Sequence, residues 1–288
     1  MASTILLKRR IGSIRNTRQI TKAMELVAAS KMRRAQDQAL SSRSYRDETY
    51  GLLTRLSTIS EVTRQPLFSV RPVRTRLYVV ITSNSGLAGA YNANVLKMLT
   101  QEVIKDRDNG IKSQVIAIGN KGAQFARRTE SIDLIAVYSA FGDSPSANDL
   151  RPILNTIVEK YLKQEIDQVR LIYTLFKSNL VQLTTQTNLM PASVDDGHEN
   201  HDGFTNFEPD IESVLHYTGL RLIEAQLWQA VLEGLASEQS ARMLAMKNAT
   251  DNAGELIDEY TLEFNTARQA AITQELAEIS GGVEAMKD

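Results

Sequence analysis

Every proline in the chain lies between residues 66 and 209: Pro66, Pro72, Pro145, Pro152, Pro191 and Pro209. A proline inside a helix removes a backbone donor and clashes with the preceding turn, at a cost of about 3 kcal/mol. Both proline-free flanks can therefore be helices of unusual length. The spacing predicts one helix over 3–58, capped by Ser3 or Thr4, and a second over 211–280, opened by Asp210 and closed by Gly281 and Gly282. At 1.5 Å per residue these span roughly 84 Å and roughly 105 Å. Gly219, Gly234 and Gly254 interrupt the second helix. Each weakens it by about 1 kcal/mol relative to alanine, or lets a neighbour approach closely.

The middle of the chain has a different period. Short β-branched and apolar runs at 76–83, 113–119, 132–139 and 169–176 alternate with helical stretches near 92–107, 121–129 and 147–163, with Asn109–Gly110 as a turn. The β-α-β order predicts an α/β domain with a mostly parallel, Rossmann-like sheet and right-handed crossovers. A further run at 180–187 reads as an added antiparallel strand. The polar stretch near 195–206 reads as an exposed, mobile loop. The expected division is 1–58 for the N-terminal coiled-coil helix, 75–194 for the α/β base, 195–209 for the loop and 210–288 for the C-terminal coiled-coil helix.

Net charge is −1, but its distribution is uneven. Residues 1–57 hold twelve Lys and Arg against four Asp and Glu, whereas residues 208–288 hold five against fifteen. The simplest partner for one end is the other. Apolar residues recur at spacings of three and four: Ile11, Ile14, Ile20, Met24, Val27, Ala28 and Met32 on the first helix. Leu220, Leu227, Val231, Leu235, Met243, Met246, Ala249, Leu256 and Tyr260 do so on the second. This suits a two-stranded coiled coil, antiparallel because both helices are anchored in the same middle domain. Pairing from residues 58 and 211 brings residue 3 to about residue 266. The stretch 267–280, with Ile272, Leu276 and Ile279, then continues past its partner, and a tip this apolar calls for a socket on another protein. Lys22, Lys31, Arg33 and Arg34 point outward, toward an acidic surface.

Two stretches resemble a known family. "IRNTRQITKAMELVAASKMRRAQ" (14–36) and "SEQSARMLAMKNATDNAGELIDEYTLEFNTARQAAITQELAEISGG" (237–282) are similar to the terminal signatures of the gamma subunit of the rotary proton-translocating ATP synthase. The resemblance implies a non-catalytic central shaft inside a ring of three alpha and three beta subunits. Its base would sit, with an epsilon-type subunit, on the membrane c ring. It implies partner contacts to beta at Met24 (beside an acidic lever loop), Glu238, Arg242, Arg268 and Gln269 (a catch loop). It further implies an alpha/beta bearing around Ile272, Leu276 and Ile279, and a c-ring contact at Phe207 and Glu208. No catalytic residue, cofactor, metal or directly bound nucleotide is implied. "TSNSGLAGAYN" (82–92) departs from the family's Arg-Gly-Leu-Cys-Gly-Gly, with Ser85, Ala88 and Ala90 in place of Arg, Cys and the second Gly. With no import segment seen, the expected place is the cytoplasmic face of a bacterial plasma membrane, in preference to an organelle inner membrane.

Other chemistries find less support. The chain has no cysteine, which excludes disulfides, thiolate zinc sites and thiol switches. His198 and His201 sit among acidic residues of the polar loop, where solvation is the simpler reading than a divalent cation. No apolar run approaches the ~18 residues of a spanning helix, and no signal-peptide core is seen, so a reducing, aqueous compartment is expected. Gly86 and Gly89 follow the first strand, where a dinucleotide fold cradles phosphate, but neither G-x-G-x-x-G nor a P-loop is present, so a tight turn is favoured. The basic N-terminal face could bind nucleic acid or anionic lipid, but an acidic partner helix would cancel much of its field. The rival to a rotor shaft is an α/β enzyme or regulator that dimerises through its coiled coil and holds a small molecule near Gly86–Asn92.

Overall fold

The computed structural model describes residues 2–57, 65–138, 145–178, 181–192 and 211–285. The expected loop 195–209, with His198, His201, Phe207 and Glu208, lies outside the described residues, as does the cap residue Asp210. The elements run α1 (Ala2–Ser57), β1 (Thr75–Ile81), α2 (Tyr91–Asp108), β2 (Lys112–Ile118), α3 (Asn120–Ala126), β3 (Asp133–Tyr138), α4 (Ala147–Leu162), β4 (Gln168–Phe176), β5 (Gln182–Met190) and α5 (Ile211–Ala285).

Both long helices form, with two corrections at their ends. Helix α1 starts at Ala2, so Ser3 and Thr4 lie inside its first turn and do not cap it. Helix α5 passes through Gly281 and Gly282 to Ala285. Two glycines together cost it only about 2 kcal/mol relative to alanine. They are flanked by good helix formers, and no proline follows to break the hydrogen-bond ladder.

The chain forms two compact units, residues 1–27 with 243–288, and residues 28–242. In the first unit the ends of α1 and α5 pack along a repeating seam. On α1 the seam carries Leu7, Ile11 and Thr21; on α5 it carries Met246, Thr250, Ala253 and Ile257, all buried. Half-buried Tyr260, Phe264, Ala267 and Ala271 continue it. These alternate at four and three residues, the spacing that keeps one stripe of an underwound helix against its neighbour. Contacts step down α5 as they step up α1. The Arg10 guanidinium lies 6.0 Å from the Tyr260 ring centre, Arg18 borders Gly254, and Thr250 Oγ1 lies 2.8 Å from Thr21 Oγ1.

Three seam expectations are corrected. Ile20, Val27 and Leu256 are 61%, 53% and 41% exposed. Each lies one position from the stripe, which is about 100° around the helix. Thr21, Ala28 and Ile257 occupy the buried positions in their stead.

The second unit is built on a five-stranded sheet of order β3-β2-β1-β4-β5. Strands β1 to β4 are parallel, and β5 pairs antiparallel with β4. Strand β1 is buried along nearly its whole length, as expected of a parallel strand covered on both faces. One face carries α2, with Tyr91, Val95, Leu99 and Val103 buried. The other face receives α4 and the first half of α5, whose Leu215, Leu222, Ile223, Leu227 and Val231 join Ile153, Ile157, Val79 and Leu171 in one core. This part of α5 is therefore a core helix of the α/β unit. Met32, Ala35 and Ala39 of α1 are buried here too, with Ala35 against Ala236 and Phe176.

Candidate functional site

The loop between β1 and α2 leaves the carboxyl end of the central strand, where open α/β sheets hold their ligands. Its own side chains tie it down. Asn92 Oδ1 accepts the Ser83 N–H at 3.0 Å, Asn92 Nδ2 donates to Ser83 Oγ at 2.7 Å, and Ser83 Oγ donates to the Ser85 carbonyl at 2.6 Å. Leu87 and Gly89 both adopt positive φ, 62° and 53°, which makes the reversal tight.

Helix α5 lies across this edge of the sheet. A Cβ at Gly234 would stand 2.9 Å from Ile81 Cγ2 and 3.4 Å from the Tyr91 hydroxyl, so the glycine permits the close approach. Ser237 Oγ donates to the Thr174 carbonyl of β4 at 3.0 Å, and Gln182 Nε2 of β5 donates to Ser240 Oγ at 3.0 Å. Arg242 is 8% exposed. Its Nη1 donates to Glu238 Oε1 at 2.7 Å, and its Nη2 to Ser85 Oγ and the Gly86 carbonyl at 3.2 and 3.3 Å. The strand ends Ile81, Ile118 and Tyr138 enclose with α5 a cavity of about 40 Å³. Small-molecule sites run to about 300 Å³ or more. A bound nucleotide would have to displace the chain's own helix, so the enzyme reading has no room where it needs it.

The expected site residues fall into groups. Glu238 and Arg242 come together with Ser85 and Gly86 in the second unit. Met24, half-buried, belongs to the first unit. Arg268 and Gln269 are exposed near the end of α5. Beyond Ala271, every residue from 272 to 280 is exposed, with Ile272, Leu276 and Ile279 at 48%, 60% and 64%. Of the outward basic residues, Lys22 bonds Glu25 at 3.0 Å, and Arg33 and Arg34 are exposed.

Sequence reasoning missed a polar seam between α1 and α5 in the second unit. Ser42 donates to Gln229, and Arg43 Nη2 reaches Glu233 Oε1 at 3.1 Å although Glu233 is 1% exposed. Gln229 Nε2 donates to the same carboxylate oxygen at 2.6 Å. The available signal was position: Ser42 continues the heptad stripe of Ala28 and Ala35, where an apolar residue was the expectation.

A two-helix rod whose longer helix is rooted in the core of an α/β unit, with no open crevice at the sheet's carboxyl edge, defines a mechanical class of protein. Residues 3–286 match the family model described as ATP synthase. The chain is 40% identical over 291 aligned positions to the ATP synthase gamma chain of Acidithiobacillus ferrooxidans, covering 99% of this chain and 100% of that one. Among solved structures it resembles a chain of the central stalk and c ring of the Tetrahymena thermophila mitochondrial ATP synthase. The TM-score is 0.60 at 25% identity, over 80% of this chain and 99% of that one. A chain of the Euglena gracilis mitochondrial ATP synthase (OSCP, F1 and c ring) shares the fold at TM-score 0.71 and 19% identity, over 99% of this chain and 95% of that one. The chain belongs to the ATP synthase gamma-chain family. Its role is that of the central rotor, coupling proton-driven rotation to the catalytic beta subunits, and it is not itself the catalyst.

Proposed function

We propose that α1 and α5 act as an antiparallel coiled-coil shaft rising from a Rossmann-like base, and that the shaft works through its surface alone. The end of α5 is the bearing: Ile272, Leu276 and Ile279 enter an apolar collar formed by alpha and beta subunits, and Arg268 and Gln269 engage a loop of beta at its rim. Met24 faces an acidic lever of beta, and Glu238 with Arg242 serves the same coupling from the base side. An epsilon-type subunit and the c ring bind the base, the latter at Phe207 and Glu208. The division at 1–58, 75–194, 195–209 and 210–288 separates shaft, base and connecting loop in this reading.

The observation that carries the bearing is a change in burial. The α5 seam holds half-buried residues through Ala267 and Ala271, and then nine consecutive residues, 272 to 280, are exposed with three large aliphatic side chains among them. A lone helix gains nothing from such side chains in water. Among the described residues no helix is long and apolar enough to cross a membrane. Membrane association is therefore peripheral, through the rest of the synthase. The bacterial relative suits the plasma membrane and the mitochondrial structures suit an organelle inner membrane, so the expected preference against the organelle is withdrawn. Co-expression with alpha and beta subunits followed by size-exclusion chromatography tests the reading. One stoichiometric complex with a single shaft is expected, and a free homodimer of this chain would refute it.

A further inference from the structure

The cavity at the carboxyl edge of the sheet contains a group that the rotor role leaves unexplained. Tyr91 is the first residue of α2 and 4% exposed, and its hydroxyl finds no hydrogen-bond partner among the described residues. That hydroxyl borders the cavity of about 40 Å³, which is also lined by Glu238 of α5 and by Thr82 and Asn84 after β1. Leaving a hydroxyl dry and unpaired in a folded core costs about 1–3 kcal/mol. The space exceeds the ~10–15 Å³ that one water needs, and the lining supplies the two or more polar partners that hold it. A larger ligand is excluded by size, and the apolar walls Ile81, Ile118, Val231 and Leu235 leave the polar groups concentrated at one side.

We propose that this cavity is a buried hydration site in which water accepts from the Tyr91 hydroxyl and donates to the Glu238 carboxylate, making Tyr91 a positioning residue for Glu238. Thr82 is less available to the water, since its Oγ1 already lies against the Ile118 carbonyl and accepts the Gly122 N–H. Burial first, then the nearby Glu238 charge, push the Tyr91 phenol well above its ordinary range, with Arg242 opposing them, so the phenol stays protonated and able to donate. The bridge joins the base, through α2, to the stretch of α5 that Ser237 and Arg242 also fasten. It would hold Glu238 in the orientation that receives Arg242 Nη1.

The test uses the assembled synthase. A density map of the complex at about 2 Å should show one to three ordered waters within hydrogen-bond reach of Tyr91 Oη and the Glu238 carboxylate. An empty cavity overturns the proposal. In Tyr91→Phe the expected result is loss of that density together with a lower ratio of protons pumped to ATP hydrolysed. Water retained unchanged in the variant, or an unaltered pumping ratio, refutes the positioning role. Assembly and rotation of the wild-type complex in the same preparation keep this outcome separate from the rotor assignment.

Discussion

Asp167 shows how single groups organise this fold. It precedes β4, and its Oδ2 accepts the backbone N–H of Arg74 at 2.8 Å and of Thr75 at 3.0 Å, fixing the start of β1 beside β4. Arg71 Nε stands 2.9 Å from its other oxygen. Burial alone would raise this carboxyl, but the two backbone donors and Arg71 outweigh it and hold the group below the usual carboxylate range. A folded pKa below the unfolded one contributes stability that is present above the unfolded value, near 3.9, and is lost as pH falls through the folded value. Asp167→Asn should therefore destabilise the chain at pH 7, and the gap to wild type should narrow below about pH 4. Urea melts across pH 2–7 read it, and a gap that widens in acid would contradict the assignment. A deeper pair lies under α2. Asp106, 1% exposed, accepts from Arg76, from Tyr78 Oη at 2.6 Å and from Ser113 Oγ at 3.2 Å. Asp106→Ala strands the Arg76 charge and should cost about 3–5 kcal/mol. Tyr78→Phe removes one bond and should cost about 1 kcal/mol. Similar losses for the two variants, measured by denaturant titration, would mean that Arg76 does not depend on its partner.

Elements were legible where one physical signal dominated. The strands at 76–83, 113–119 and 169–176 announced themselves because parallel strands buried on both faces must be apolar throughout, and β1, β2 and β4 lie within two residues of those bounds. Both long helices followed from where proline is absent. The seam was harder to read, because it is defined by position and not by hydrophobicity. Thr21 and Thr250 meet inside it, their hydroxyls satisfied by each other and by the Arg18 and Met246 carbonyls. A threonine so satisfied can occupy a buried position, and its apolar neighbour Ile20 is displaced to the surface. Leu256 and Ile257 repeat the lesson with two aliphatic residues side by side. Ile257 is 8% exposed and Leu256 41%. Ile257→Ala should cost about 2–5 kcal/mol and Leu256→Ala well under half of that. Equal losses would overturn the seam as described. At the sheet edge, the turn over Gly86–Gly89 was readable from missing motifs. Its contact with Arg242 was not, because nothing local in the sequence links positions separated by more than 150 residues.

At the scale of the whole chain, function rests on what α5 does at its two ends. Its first half is part of the α/β core, with Leu222, Ile223 and Leu227 fully buried. Its last turns carry Ile272, Leu276 and Ile279 into solvent. Stability and coupling are therefore separable along one helix, and substitutions at the exposed end can change partner contacts without touching the fold. Arg268→Ala with Gln269→Ala is the sharpest case. Both side chains are exposed, Gln269 gives its carbonyl to Thr273 Oγ1 at 3.0 Å through the backbone alone, and alanine is the best helix former. The double variant should keep the thermal midpoint of the chain within the ±0.5 kcal/mol typical of surface substitutions. In membranes carrying the reconstituted synthase it should lower proton-driven ATP synthesis several-fold, because a contact made in only some rotational states is worth about 1–3 kcal/mol of coupling. Wild-type synthesis rates would remove these two residues from the contact. A large fall in the thermal midpoint would instead show that the end of α5 is held by its own chain.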